Sequence, residues 1–335
     1  MTTTTAGPAA ARKRRRGDVQ GSGRLAVTLL SPTFIVLALV VGYPVVAALR
    51  ESLYQRGQGL DANGFVVQGD KFVGLRNYTD IFTGPNSHAF WNAFGNTTFF
   101  TVVTVVIETV LGVAMALIMS RAFRGRGFVR ASILVPWAIP TVVSGLLWRW
   151  VFQADGIANA IIGRQVLWTT EGFHAKLAVI IADTWKTAPF VGLLVLAGLQ
   201  VIPRDVYEAA RVDGAGAWQT FWRITLPMVK PVLLVAVLFR LLDVLRMFDL
   251  PVVLIGLHKD SVETLTMTAY DEATNLRYGP AAAYATVLFV YVAVVAYTFV
   301  RLLGADIIGE MRQPRAARPV RPKRKPLTVP REVTT

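Results

Sequence analysis

The chain has 335 residues, of which 53% are apolar and only 17% charged, and its formal net charge is +14. A composition this apolar excludes an ordinary soluble domain. The absence of cysteine excludes disulfides, thiolate metal sites and a cysteine nucleophile.

Both ends of the chain are basic and poor in large apolar residues. Residues 1–22 and 312–335 are rich in Thr, Ala, Pro and Arg, so we expect two disordered tails. Lys and Arg accumulate in these tails and in two loops between apolar runs, which places both termini in the cytoplasm by the positive-inside rule. Anionic lipid headgroups explain this basic charge better than nucleic acid does.

Between the tails, residues 23–311 read as one transmembrane domain. Six apolar runs are long enough to cross a bilayer core, which needs about 20 helical residues. They are Leu25–Leu49, Phe94–Met119, Ala131–Phe152, Leu177–Val201, Pro231–Ile255 and Ala281–Leu303. The predicted fold class is therefore an all-α membrane protein with six transmembrane helices. We find no paired repeat, no clearly interrupted span and no second soluble domain.

The external segment 51–90 follows the first apolar run. Its residues 65–73 alternate around Gly69-Asp70, which predicts a small hairpin with its turn at that dipeptide. Residues 75–82 then predict a short amphipathic helix on the membrane surface. A plain lid without ligand contacts is an equal alternative for this segment.

A polar loop, residues 203–227, separates the fourth and fifth runs. Pro203 suits a first helical turn, the next nine residues contain no helix breaker, and Gly214 can supply a left-handed exit. Ala209 and Ala210 keep this helix slim enough for a partner to approach its backbone. Glu208 offers a carboxylate to a partner's arginine, and Asp213 can cap a turn. The alternative is an interfacial helix pair that only packs against the bilayer.

Ionisable residues also occur inside the apolar runs. They are Glu108, Asp183, Lys186, Arg240, Asp243, Arg246 and Asp249. Each would cost at least ~2.5 kcal/mol if it faced lipid at mid-membrane, so these residues should face protein or water. Arg240, Asp243 and Arg246 are spaced by three, which keeps them within an arc of roughly 120° on a helix. Asp183 and Lys186 lie one turn apart and could pair with each other.

The polar loop resembles the EAA loop of binding-protein-dependent ABC importers. It carries Glu208-Ala209-Ala210, Gly214 and, ten residues later, Ile224-Thr225-Leu226-Pro227. Further likeness to the sugar permeases of this superfamily, of the maltose and glycerol-phosphate type, lies in 72–78, 126–140, 148–150, 183–190 and 197–203. Within that family the chain is most similar to the first permease subunits of mycobacterial-type trehalose importers. It departs from the family at residues 257–260, where a Gly-Gly-Pro turn is common.

The resemblance implies a carbohydrate importer subunit in the bacterial plasma membrane, with the type I ABC importer permease fold. Its implied partners are a second homologous permease, an ATPase homodimer and an extracytoplasmic sugar-binding protein or lipoprotein. The implied ATPase-binding residues are Tyr207, Glu208, Ala209, Ala210, Arg211, Asp213, Gly214, Ile224, Leu226 and Pro227. The candidates for the sugar path are Asp183, Trp185, Lys186, Arg240, Asp243, Arg246, Phe248 and Asp249. These charged residues have an alternative role, which is ion pairing between helices that fixes the bundle.

The sequence indicates no cofactor or catalytic site of its own. It contains no Gly-x-x-x-x-Gly-Lys-Ser/Thr phosphate loop, so ATP and Mg²⁺ would be bound by the partner ATPase. His88, His174 and His258 are too scattered for a metal site. A secondary transporter driven by an ion gradient remains the main alternative, and a membrane-bound enzyme is a weaker one.

Overall fold

The computed structural model describes residues 18–60, 66–85 and 87–303, which are mostly helical. The helices are α1 Asp18–Leu37, α2 Tyr43–Glu51, α3 Arg76–Phe82, α4 Ser87–Ser120, α5 Arg126–Ala138, α6 Thr141–Val151, α7 Ile157–Ile162, α8 Phe173–Val201, α9 Arg204–Val212, α10 Ala217–Thr220, α11 Leu226–Val244, α12 Asp249–Leu254, α13 Leu265–Thr274 and α14 Tyr278–Leu303. The predicted tails lie outside the described residues, except that α1 already includes residues 18–22.

Five helical stretches in the described part of the chain are long and apolar enough to cross a membrane. They are Val27–Glu51, Ser87–Ser120, Phe173–Val201, Ala217–Val244 and Tyr278–Leu303. The bent pair α5 and α6 makes a sixth when it is counted as one span. The six-span prediction is therefore confirmed, with two changes to individual spans.

The third span is not the single helix that we predicted over Ala131–Phe152. α5 and α6 meet at an angle of 98°. Between them Ile139 has an extended backbone, with φ −75° and ψ 133°. Pro140 follows it, and a proline ring disfavours the helical conformation in the residue before it. The statement that no span is interrupted was therefore wrong.

The fifth span differs from the predicted Pro231–Ile255 at both ends. Its helix already begins at Ala217, inside the polar loop, and continues through a π-helical turn, Phe221–Thr225, to Val244. The chain then breaks before the short α12. Pro251 has no N–H for the carbonyl of Met247, four residues earlier, and this carbonyl accepts a hydrogen bond of 2.9 Å from Thr264 Oγ1 instead.

The chain divides into two compact units, of which the first comprises residues 1–91 and 265–288. Here β1, Tyr54–Leu60, pairs antiparallel with β2, Val66–Phe72. The hairpin predicted within residues 65–73 was wrong, because Gly69-Asp70 lie inside the single strand β2, opposite Gly57 and Arg56, and β2 instead pairs with the preceding strand β1. The predicted short helix is α3, whose buried Asn77 donates through Nδ2 to the backbone oxygens of Ser52 (2.8 Å) and Tyr54 (3.0 Å).

The second unit comprises residues 92–264 and 289–335, and α8 is its central helix. In the most apolar window of α8, 72% of the residues are buried. Close approach of α4 depends on Gly112, because a Cβ at this position would lie 2.6 Å from Val191 Cβ. The internal position of α8 matters because it carries Asp183 and Lys186, two of the charged residues of the candidate site.

Candidate functional site

The polar loop folds as its sequence predicted. Pro203 has an extended backbone immediately before α9, with ψ 141°. At the other end Gly214 has a φ of +76°, and Ala215 N–H donates to Ala210 O at 2.9 Å across it. Because the left-handed glycine turns the chain back, the N–H that follows it reaches a carbonyl of the last turn, and α9 ends there. The chain is thereby redirected into α10 and the fifth span.

One face of α9 is covered and the other is open. Ala210 is buried and Tyr207 half-buried, with the Thr225 hydroxyl 3.4 Å from the Tyr207 hydroxyl. The rest of the predicted ATPase-binding helix is exposed, namely Glu208, Ala209, Arg211, Asp213 and Gly214. Ile224 and Leu226 are half-buried, whereas Pro227 is exposed. α9 therefore presents a small, slim surface that carries both acidic and basic side chains.

The aromatic residues of the second half of the loop form one cluster. The rings of Trp218 and Trp222 are 5.5 Å apart, and those of Phe221 and Trp222 are 5.2 Å apart. These three side chains therefore lie on one side of the segment. Trp218 stays largely exposed, so the cluster adds an apolar surface to the second half of the loop.

The second group of candidate residues is an ion cluster between three helices. Arg240 of α11 donates from Nε to Glu108 Oε2 (2.6 Å) and from Nη2 to Glu108 Oε1 (2.9 Å). Nη2 also donates to Asp183 Oδ2 of α8 at 3.0 Å, and Nη1 donates to Asp243 Oδ2. One guanidinium thus ties α4, α8 and α11 together. Ion pairs of this kind compensate buried charges that lipid cannot solvate.

The structure changes the predicted pairing inside the cluster. Asp183 bonds to Arg240 and not to Lys186, so the proposed Asp183–Lys186 pair was wrong. Lys186 is nevertheless 9% exposed and one turn from Asp183, close enough to act on it electrostatically. Among the described residues, Lys186 has no carboxylate within ion-pair distance.

Arg246 is not on the common face that its spacing suggested. α11 ends at Val244, and Arg246 is exposed beyond it, with Nε donating to Leu242 O at 3.1 Å. Asp249 is exposed in the first turn of α12, outside the cluster, and Phe248 is half-buried immediately before it. The chain break after Val244, which the sequence did not reveal, separates these three residues from the cluster.

Aromatic side chains lie on both helices of the candidate path. Trp185 of α8 meets Trp148 edge to face, with ring centroids 5.6 Å apart. One turn before Asp243, Phe239 is exposed and contacts Phe190, with centroids 6.4 Å apart. Neither Phe239 nor Phe190 was among the predicted path residues. The signal for Phe239 was its position four residues before Asp243, an acid within a span.

Glu108 was also missing from the predicted site. As a single acid in its span it carried no local pattern, yet it is fully buried and makes the two-point contact with Arg240. A signal was available in the charge inventory. A lone acid in one span and an arginine in another cannot both face lipid, and pairing between spans is the simplest solution.

Comparison with known proteins decides the family. Residues 108–309 match the family of binding-protein-dependent transport system inner membrane components. The chain belongs to this family. It is a multi-pass inner-membrane permease subunit of an ABC importer, and it is not itself an enzyme.

Relatives and solved structures agree with this family. The permease is 36% identical over 299 residues to the trehalose transport system permease protein SugA of Mycobacterium tuberculosis, covering 88% of this chain and 94% of SugA. It is 36% identical over 285 residues to the trehalose/maltose transport system permease protein MalF of Thermococcus litoralis, covering 83% and 92%. Its fold is similar to a chain of a bacterial alginate ABC transporter crystallised with a pentasaccharide-bound periplasmic protein, with a TM-score of 0.71, 22% identity, and coverage of 87% and 97%.

Proposed function

We propose that this permease imports a neutral disaccharide, with trehalose as the first candidate, along a path beside α8 and α11. The relatives named for trehalose or trehalose/maltose transport are 36% identical over most of both chains. The cluster around Arg240 contains three carboxylates and one guanidinium, and this excess of negative charge suits a neutral polyol better than an anion.

The exposure of Asp243 carries the proposal. Its side chain is 67% exposed, although it lies on a membrane-spanning helix. A carboxylate facing lipid costs at least ~2.5 kcal/mol at mid-membrane, so this face of α11 should look onto water or a second protein. Sugar hydroxyls donate well to carboxylates, and C–H faces of a sugar pack on rings. Asp243 and the exposed Phe239 provide both contacts one turn apart.

The predicted path residues then take different roles. Asp243 and Trp185 have accessible surface, and we assign them the sugar contacts. Arg240, Asp183 and Lys186 are almost enclosed and support the lining. Arg246, Phe248 and Asp249 follow the helix break and belong to the outer rim of the path.

We further propose that the open face of α9 docks on a cytoplasmic ATPase, which binds the ATP and Mg²⁺. Glu208 and Asp213 would meet cations of that subunit, while Ala209 allows close approach of its backbone. The functional complex would contain a second homologous permease, two ATPase copies and an extracytoplasmic sugar-binding protein. Closure of the ATPase dimer would move both docking loops and switch the path between outward and inward access.

Reconstitution tests the proposal directly. The complete complex in liposomes, supplied with ATP and the binding protein, should hydrolyse ATP several-fold faster with trehalose and accumulate the sugar. Omission of the ATPase should abolish uptake. Uptake by the lone permease under a proton or sodium gradient would refute the proposal and favour the secondary transporter.

The side of the membrane on which α9 lies has its own test. Because the chain has no cysteine, Asp213→Cys creates a single label site for a membrane-impermeant maleimide. The thiol should stay unlabelled in intact cells and react after lysis. Gln165→Cys, in the exposed loop after α7, is the control and should react in intact cells. Labelling of Asp213→Cys in intact cells would refute ATPase docking on this loop.

A further inference from the structure

Glu108 is a buried acid to which the sugar path assigns no role. It is 0% exposed on α4, so a sugar moving along the accessible face of α11 cannot touch it. It is nevertheless the residue that contacts Arg240 most extensively, through two hydrogen bonds of 2.6 and 2.9 Å. Thr187 Oγ1 lies 2.5 Å from Glu108 Oε1 and fixes the carboxylate from the side of α8.

These contacts decide where the Arg240 guanidinium points. Nε and Nη2 are occupied by Glu108, and Nη2 is shared with Asp183 at 3.0 Å. A guanidinium is planar, so two-point binding along one edge fixes the direction of the remaining nitrogen. That nitrogen, Nη1, donates to Asp243 Oδ2.

Asp243 is therefore held by one oxygen and open at the other. The structure shows no hydrogen bond to Asp243 Oδ1 from any residue in its described part, and the side chain is 67% exposed. An exposed carboxylate without a fixed partner would sample several rotamers, and ordering it would cost entropy when a ligand binds. The contact with Arg240 removes that cost in advance.

We propose that Glu108 is a positioning residue for sugar binding. Through Arg240 it holds the Asp243 carboxylate on the accessible face of α11, with Oδ1 free to accept a hydrogen bond from a sugar hydroxyl. This inference rests on the proposed function, because it needs a sugar at Asp243. Sugar recognition would then depend on Glu108 of α4, a residue that the sugar does not contact.

A purely structural role for Glu108 predicts a different behaviour. Removing one member of a buried pair leaves an uncompensated charge and destabilises the protein, whereas removing both can be almost neutral. A structural defect in Glu108→Gln should thus lower the amount of assembled complex without changing the sugar concentration that half-saturates it. A positioning defect should change that concentration.

The test is a double-mutant cycle in the complete reconstituted complex, read as the trehalose dependence of ATP hydrolysis. We expect Glu108→Gln and Asp243→Asn each to raise the half-saturating trehalose concentration about tenfold. The double variant should stay near tenfold, because both substitutions remove the same contact. Additive effects near a hundredfold, or an unchanged value in Glu108→Gln, would overturn the proposal.

Two further variants keep the test decisive if Glu108→Gln assembles poorly. Glu108→Gln combined with Asp183→Asn and Arg240→Met removes the guanidinium together with both of its buried carboxylates and should restore assembly, while the half-saturating concentration stays about tenfold raised. A wild-type value in this triple variant would contradict positioning. Glu272→Gln is the matched control, since Glu272 is a nearly buried acid bonded to Arg277 in the other unit, and it should leave the half-saturating concentration unchanged.

The possible outcomes distinguish the positioning role of Glu108 from the proposed function in sugar import. If Asp243→Asn impairs the response to trehalose and Glu108→Gln does not, only the positioning role is wrong. If the wild-type complex does not respond to trehalose or to any other disaccharide, both the proposed function and the positioning role are wrong.

Discussion

Substitutions at Gly214 can distinguish the effect of backbone strain from that of partner contact in the polar loop, residues 203–227. Its φ of +76° lies in the left-handed region, and a Cβ added there would have nothing within 4 Å in this subunit. Gly214→Ala should therefore cost only the strain of a left-handed alanine, roughly 1–2 kcal/mol. The permease should still fold and insert, because no side chain has to move.

Gly163 provides a matched control outside the loop. It ends α7 with a φ of +72°, and a Cβ there would also have nothing within 4 Å. Gly163→Ala should therefore carry the same strain and lower the stability of the detergent-solubilised complex by a similar amount. Gly214→Asn is the second control, since asparagine tolerates the left-handed conformation better than alanine but still adds a side chain at the proposed interface.

The assay is trehalose-stimulated ATP hydrolysis together with recovery of the ATPase on the purified permease. If an ATPase surface lies against Gly214, Gly214→Ala and Gly214→Asn should both reduce stimulation at least tenfold. Gly163→Ala should stay within about twofold of the wild type. Equal losses in Gly214→Ala and Gly163→Ala would show that strain alone is responsible. Full activity in both Gly214 variants would refute docking at this position.

Three more predictions follow from particular contacts. Gly279→Ala should abolish accumulation of the permease in membranes, because its Cβ would lie 2.0 Å from the backbone oxygen of Tyr54, and normal expression would refute this. Asn159→Leu should destabilise the α7 loop by about 2–4 kcal/mol. The Asn159 amide oxygen accepts a hydrogen bond from the buried Trp168 Nε1 at 2.9 Å, and the amide nitrogen donates to three backbone carbonyls. An unchanged temperature of thermal unfolding would contradict this prediction. Asp243→Lys should lower the half-saturating concentration of a phosphorylated disaccharide at least tenfold relative to that of trehalose, measured by stimulated ATP hydrolysis, and an unchanged ratio would show that the cluster does not select by charge.

The sequence alone determined the class of fold, the number of spans and the helix with a glycine exit in the polar loop, residues 203–227. Each of these is a local property. Span length follows from a run of apolar residues, and the exit of α9 follows from one glycine that can adopt a positive φ. One departure from the predicted spans was local as well: the bend at Ile139-Pro140 agrees with the restriction that proline places on the residue before it.

The tertiary structure alone decided the charged cluster. Spacing on one helix suggested Asp183–Lys186 and Arg240–Asp243–Arg246, because helical periodicity is all that a single sequence reveals. Arg240 instead took its main partner from α4, at Glu108, 132 residues away in the chain. An ionised side chain within a membrane takes whichever opposite charge the packing of helices brings within reach, and no periodicity along one helix contains that information.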